Sequence, residues 1–367
     1  MQPASTGVVG AGLMGRDIAG LLANGGFPVT LVDIDADALE SAREYHRSSL
    51  RGALAASHIE TADEPLATLD YASDLAALAD CEFVVEAVPE RLDLKRSLVD
   101  DLEAVLDAEA IIATNTSSLT PSDIAVGADR PERVVLFHFA NPAIERDVVE
   151  IAGDHASDDA LDTARAVATA IGHEPIRLEA EHRANCLSRL SASIKCAGTW
   201  ELRRAEAAAI DRGATAVGFE RGPLEFIDLI GIDVHLATVD NLAGAYGERY
   251  APPTELRSRM ETMVEADSLG MKTGQGFFEW EDGTCLVPEV DEPHDVTPIV
   301  AALVNEAHRL VADGVGEPST IDDVLKRGSG GSIGPFDIES MLGADALREA
   351  LERRYAETGA GVFDPVF

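Results

Sequence analysis

The sequence of 367 residues predicts a doubly wound α/β domain at its N-terminal end, followed by an all-α region made of two repeated helical units. Three observations carry that prediction. Short apolar runs alternate with helical patterns at Gly7–Gly10, Pro28–Asp33, Glu82–Val88, Ala110–Thr114, Val134–Phe139 and Val148–Ile151. Several of these runs are continuous rather than alternating, as expected for parallel strands covered on both faces. After Asn185 the strand signal vanishes and long helical stretches follow, such as Leu187–Ala209 and Leu236–Tyr250. Within them the segment Gly222–Asp233 recurs 112 residues later as Gly334–Asp345, with Ile210-Asp211 and Ile321-Asp322 preceding the two copies, which marks a duplication. The acidic, proline-containing stretch between the copies reads as a linker. The expected boundaries are therefore 1–182, 183–280, a linker over 281–296, and 297–367.

Charge narrows the function classes. Lys and Arg number 29 against 66 Asp and Glu, a net charge of −37, and only four of the cations are lysines. A nucleic-acid binder working through a broad basic surface is excluded, and an anionic membrane surface is disfavoured for the same reason. No apolar run approaches the roughly 20 residues of a membrane span, and no export signal opens the chain, so a cytoplasmic location is expected. Acidity of this degree without disorder fits a salt-rich cytosol and a halophilic source. Cys81, Cys186, Cys196 and Cys285 show no metal-ligand spacing and read as reduced thiols; no metal site is expected.

The first chemical motif is Gly10-Ala11-Gly12-Leu13-Met14-Gly15, which follows a strand and opens a helix. Gly10 permits the tight turn, Gly12 lets the backbone approach a pyrophosphate, and Gly15 lets the helix pack on the strand. The helix N-terminus then offers free N–H groups to the phosphates. Asp33 lies 21 residues after Gly12, where a carboxylate bonds ribose hydroxyls and repels a 2′-phosphate. The first domain is thus Rossmann-type and its expected cofactor is NAD.

The second is a strand-end histidine. His138 closes the run Val134–Phe139, and Glu150 lies 12 residues on in the next run. If that run returns beside the first, the carboxylate fixes the imidazole tautomer and stabilises the imidazolium formed on proton uptake. The bland alternative is an ordinary polar strand end with Glu150 exposed. Asn115-Thr116-Ser117-Ser118 ends the preceding strand, facing the crevice or capping the next helix. Glu86 and Glu90 bracket another strand end with Lys95 beyond, and either glutamate reads equally as a solvated loop charge.

Taken jointly these residues resemble the L-3-hydroxyacyl-CoA dehydrogenase family of fatty-acid β-oxidation. The matching stretches are Gly10–Gly15, Val85–Glu90, Asn115–Leu119, His138–Pro142 with Val149-Glu150, and Lys272–Phe277, in family order. The resemblance implies NAD-dependent oxidation of a 3-hydroxyacyl thioester to the 3-oxoacyl thioester. His138 is then the general base and Glu150 its orienting partner, with Ser117 and Asn185 bonded to the reacting oxygens of the substrate. Asn141 would hold the nicotinamide end, while Asn115, Glu90, Lys95 and Lys272 match cofactor-side positions. For the CoA moiety, Arg43, Arg47 and Arg51 stand at i, i+4 and i+8 on the expected helix Asp37–Ala56, and Ser49 falls on a substrate-contacting serine. A solvated arginine face is the competing interpretation.

Three departures from the family pattern bear on the substrate. Only Asn185 survives of the segment Glu181–Cys186, the loop Glu145-Arg146-Asp147 replaces an apolar one, and Ala56 stands where relatives carry a lysine. Three functions are therefore weighed: a 3-hydroxyacyl-CoA dehydrogenase, a dehydrogenase of a free or non-CoA 3-hydroxy acid, and a non-catalytic NAD-binding paralogue. The expected partner is an acyl-CoA-type small molecule. The duplicated unit suggests a monomer, since a second copy takes a partner's place, with a homodimer as the alternative.

Overall fold

The computed structural model describes residues 2–62, 66 and 68–367. The chain divides into two compact units, one of residues 1–185 with 327–329 and one of residues 186–326 with 330–367.

The first unit is built on an eight-stranded sheet in the order β3-β2-β1-β4-β5-β6-β7-β8. Its strands are β1 (Thr6–Val9), β2 (Val29–Val32), β3 (Leu69–Ala72), β4 (Phe83–Glu86), β5 (Ile111–Thr114), β6 (Val134–Phe139), β7 (Val148–Ala152) and β8 (Glu174–Arg177). Helices α1 (Leu13–Asn24), α2 (Ala36–Tyr45), α3 (Arg51–Ala56), α4 (Leu92–Val105), α5 (Pro121–Ile124) and α6 (Asp158–Ala170) connect them. The six strands β1–β6 run parallel in the 3-2-1-4-5-6 order of a dinucleotide-binding sheet. Alternate residues feed two cores: Val8, Val85, Ala113 and Val135 on one face, Val9, Val84, Ile112 and Val134 on the other. Burial on both faces explains why these strands read as continuous apolar runs.

Two strands escaped the sequence pattern. β3 and β8 are the outer members of the sheet, and both leave side chains partly exposed. An edge strand needs no continuous apolar run. The helix expected over Asp37–Ala56 is also interrupted: a π-helical turn, His46–Leu50, separates α2 from α3. Hydrogen bonding there runs i to i+5, so the arginines do not keep the register of one α-helical face.

The second unit contains α7 (Cys186–Glu201), α8 (Ala207–Ala216), α9 (Pro223–Ile230), α10 (Ile232–Tyr246) and α11 (Thr254–Glu265), then α12 (Thr297–Ala312), α13 (Pro318–Ser329) apart from its last three residues, α14 (Pro335–Leu342) and α15 (Ala344–Thr358). It is not wholly without strands. β9 (Glu279–Glu281) and β10 (Thr284–Leu286) form a small antiparallel hairpin whose three-residue strands are too short to register as a pattern.

The duplication is visible as one capping device used twice. Asp211 of α8 accepts from the backbone N–H groups of Leu224 (3.1 Å) and Glu225 (2.7 Å) at the start of α9. Asp322 of α13 does the same for Phe336 (2.9 Å) at the start of α14. Each carboxylate lies against a glycine: a Cβ on Gly222 would stand 2.1 Å from Asp211 Cγ, and one on Gly334 would stand 2.3 Å from Asp322 Oδ1. The Gly-Pro start of both copies is therefore a docking requirement, with proline favoured at the first helical position. Between the copies, buried charges are paired: Arg189 with Glu306 at 2.7 Å and Arg354 with Glu201 at 2.7 Å. Replacing Asp211 by Ala is expected to destabilise the protein by about 1–2 kcal/mol, the cost of losing a helix cap, and Asp322→Ala by less because it caps one N–H. Urea unfolding midpoints check this; two unmoved midpoints would contradict the shared capping role.

Candidate active site

The C-terminal ends of β1, β2, β4, β5 and β6 gather the candidate residues. At β1, Gly10 has φ +103°, and a Cβ there would lie 2.7 Å from the Ala87 carbonyl oxygen. Gly15 is equally confined, its Cβ falling 1.7 Å from the Gly10 oxygen. Gly12 is different. No atom lies within 4 Å of its Cβ position, so packing does not demand glycine there and the space is open to an approaching phosphate. Gly12 is also the N-cap of α1 and supplies no side-chain cap, leaving first-turn N–H groups for an anion. At the end of β2, Asp33 Oδ2 accepts from Ala11 N at 2.7 Å and Oδ1 from Asp35 N at 2.9 Å, which fixes the carboxylate beside the glycine turn. Leu13 is half-exposed at the turn and Met14 packs on the core. The residues present fit NAD.

At β6 the chain turns back. β7 is antiparallel to β6 in the register His138↔Glu150, and residues directly opposite in such a pair project to the same face. His138 Nδ1 lies 2.6 Å from Glu150 Oε2, with Glu150 fully buried. An ionised carboxylate only accepts, so Nδ1 carries the proton and Nε2 presents its lone pair. Nε2 has no hydrogen-bond partner among the described residues. Where the β5–β6 ladder ends, Asn115 Oδ1 accepts from Phe139 N at 2.9 Å and pins the strand end bearing His138.

A buried network arranges the turn after β5. Lys95 Nζ lies 2.7 Å from Glu86 Oε1 and 3.4 Å from Glu90 Oε2. Thr114 Oγ1 donates to Glu86 Oε2 at 2.7 Å. Glu90 Oε1 accepts from Thr116 Oγ1 (2.6 Å), Ser117 N (3.1 Å), Ser118 N (2.7 Å) and Ser118 Oγ (2.9 Å). Burial opposes the Glu90 charge, but Lys95 and the Thr116 and Ser118 donors outweigh it and hold the carboxyl below its usual pKa. The Ser117 hydroxyl itself has no partner among the described residues. Asn185 is fully buried; its Nδ2 donates to the Thr116 carbonyl at 3.1 Å, while Oδ1 has no partner among the described residues. Its φ of 42° and that of Ala184, 63°, are left-handed, a conformation non-glycine residues hold only where surroundings impose it.

Not every predicted residue gathers here. Lys95 is 1 % exposed and its ammonium is engaged by glutamates, so it orders Glu90 rather than presenting a surface charge. Neither Glu86 nor Glu90 is a solvated loop charge. Lys272 belongs to the helical unit, where Nζ donates to both Asp233 oxygens at 2.5 and 2.7 Å. Arg43 pairs with Glu40 at 3.2 Å and lies 4.6 Å from the Tyr71 ring centre, and Arg47 pairs with Glu44. Ser49 and Arg51 are exposed on the π turn and α3, and Asn141 is exposed just beyond β6. Sequence reasoning missed Asp17, whose carboxyl burial pushes up to about 6 against the opposing effects of Tyr45 and Arg16, with Glu145 of the charged loop adding to the rise. No His/Cys/Asp/Glu group suited to a metal occurs among the described residues.

Comparison with known proteins settles the family. The chain matches the description "3-hydroxyacyl-CoA dehydrogenase, NAD binding domain" over residues 5–181 and "3-hydroxyacyl-CoA dehydrogenase, C-terminal domain" over residues 194–280 and 296–366. It belongs to the 3-hydroxyacyl-CoA dehydrogenase family. Its cofactor is accordingly NAD, and the protein is an NAD-dependent oxidoreductase. Among solved structures, the (S)-3-hydroxybutyryl-CoA dehydrogenase PaaH1 of Ralstonia eutropha is 28% identical, covering 77% of this chain and 100% of its own, with a TM-score of 0.68. A diketoreductase acting on dicarbonyl compounds is 29% identical, covering 76% of this chain and 100% of its own, at 0.64. A 3-hydroxybutyryl-CoA dehydrogenase of Escherichia coli covers all of this chain and 97% of its own at 0.83; its 23% identity speaks for the fold. Among the described residues no helix of this family member is long and apolar enough to cross a membrane.

The open space at Gly12 generates a test. Gly12→Val is expected to weaken NADH binding at least about tenfold, roughly the 1.4 kcal/mol that one order of magnitude represents. The unfolding midpoint should stay within the range of about 0.5 kcal/mol typical of surface substitutions. Fluorescence titration and urea unfolding read the two; unchanged NADH affinity would contradict the phosphate cradle.

Proposed function

We propose that the protein oxidises an L-3-hydroxyacyl-CoA to the 3-oxoacyl-CoA, the dehydrogenation of fatty-acid β-oxidation. The observation that carries this is the His138–Glu150 pair, held at 2.6 Å by cross-strand register with Nε2 unengaged among the described residues. Nε2 takes the 3-hydroxyl proton, and Glu150 holds the tautomer and stabilises the resulting imidazolium. Bound NAD would supply the acceptor for the hydride leaving C3. Ser117 and the Asn185 amide hydrogen-bond the reacting oxygens and align C3, the entropic part of the task. The glycine turn holds the pyrophosphate, Asp33 the ribose and Asn141 the nicotinamide end. Asn115 and Glu90 shape the cofactor edge through Phe139 and the Ser117 turn, with Lys95 acting through Glu90 and Lys272 assigned from the family pattern alone.

The substrate handle is less uniform. Arg43, Arg47 and Arg51 with Ser49 are assigned to CoA, yet Glu40 and Glu44 already pair two of these guanidiniums. The charged loop Glu145-Arg146-Asp147 favours a short or polar acyl group. These two features, with the likeness to a diketoreductase, favour the second reading, a non-CoA 3-hydroxy acid. The intact set His138, Glu150, Ser117 and Asn185 weighs against a non-catalytic paralogue. Packing of α7 on α12, which open the two copies, supports a monomer rather than a homodimer. The acid excess of 66 against 29 cations supports a salt-rich cytoplasm.

NADH consumption in molar KCl, with acetoacetyl-CoA against free acetoacetate, tests the assignment. Turnover of the thioester alone is expected. Turnover of the free acid alone would move the assignment to a hydroxy-acid dehydrogenase, and silence with both in NADH-binding protein would overturn it.

A further inference from the structure

We infer that His46 is a positioning residue for the cofactor site, its imidazole tying the first turn of α1 to the strand that flanks Asp33. His46 begins the π-helical turn and is 2 % exposed. Nε2 lies 2.6 Å from the Arg16 carbonyl oxygen and Nδ1 lies 2.8 Å from the Tyr71 hydroxyl. A carbonyl accepts only, so Nε2 carries the proton and Nδ1 accepts from Tyr71. A single neutral tautomer satisfies both bonds, and burial beside the Arg16 guanidinium keeps the imidazole neutral.

The two partners matter because of where they sit. Arg16 is in the first turn of α1, next to the N–H groups that face the phosphates. Tyr71 is in β3, paired with Leu31 of β2, and one residue on the Ala72 carbonyl accepts from Asp33 N at 3.3 Å. One imidazole therefore spans the pyrophosphate end and the ribose end of the cradle. The junction is tight: a Cβ on Gly20 of α1 would stand 2.8 Å from Leu50 Cδ1 of the π turn. Arg16 also lies 4.0 Å from the Tyr45 ring centre, closing the other side of α1 over α2. A π turn is rare and occurs mostly at functional sites; here it carries the group that sets the spacing of the cradle.

The inference rests on the reading of Gly10–Gly15 and Asp33 as the cofactor cradle, so its test includes Gly12→Val. NADH affinity is measured by fluorescence titration on the full chain for His46→Phe, His46→Gln and Tyr71→Phe, with steady-state kinetics alongside. His46→Phe keeps an aromatic ring, slightly larger than imidazole, and removes both bonds. It should raise the Kd for NADH about tenfold, the order expected for a lost buried hydrogen bond, with kcat at saturating NADH changed less than about threefold, the pattern of lost ground-state binding. Tyr71→Phe should shift Kd in the same direction by less, and His46→Gln, which can still donate to the Arg16 carbonyl, should recover part of the affinity. Unchanged Kd in folded His46→Phe and Tyr71→Phe, with Gly12→Val impaired, would overturn the role of His46. Unchanged Kd in all variants would overturn the cradle itself.

Discussion

A carboxylate with no solvent exposure, 2.6 Å from an imidazole, is the constraint around which the first unit is arranged. Burying Glu150 costs several kcal/mol unless it is paired, and the pairing exists only because β7 runs against the direction of the six strands before it. A parallel β7 would need a long crossover. The return loop of residues 140–147 instead brings Glu150 back opposite His138 in a single register. A slip by one residue would send the carboxylate to the other face of the sheet. The proposed base is thus set by sheet geometry rather than by a mobile loop.

The same economy appears at the neighbouring strand ends. β4 and β5 both end in polar side chains, Glu86 and Thr114, hydrogen-bonded at 2.7 Å, and Lys95 from α4 neutralises the buried charge. From there Glu90 gathers the backbone of Ser117 and Ser118, and the Ser117 hydroxyl has no partner among the described residues. Buried Asn185 Oδ1, without a partner among the described residues, stands as the second such group. A polar atom left buried without a partner costs about 1–3 kcal/mol, and its persistence is understandable where a substrate supplies the missing partner.

Much of this was legible in the sequence, for reasons that can be named. The central strands declared themselves because burial on both faces demands continuous apolar runs. Gly10, Gly15, Gly222 and Gly334 were readable because each answers a steric demand. What stayed hidden was of two kinds. β3, β8 and the β9–β10 hairpin are edges or short, with half-exposed side chains that carry no periodic signal. His46 and Tyr71, or Lys95 with Glu86, are polar groups joined across 25 and 9 residues, and nothing local marks a polar residue as buried. The π turn was invisible for a related reason, since its side-chain spacing differs from an α-helix by one residue within a single turn.

In the proposed mechanism Glu150 acts through His138 alone. A double-mutant cycle on the single-turnover rate, using His138→Ala, Glu150→Gln and the pair, tests it most directly. His138→Ala is predicted to slow the step about 10²–10⁴-fold, the usual range for a lost general base. Glu150→Gln should cost less, and the double variant should lose no more than His138→Ala alone, as for residues working as a unit, with NADH affinity unmoved throughout. Losses that multiply, or turnover that survives without the imidazole, would rule out the paired role of His138 and Glu150.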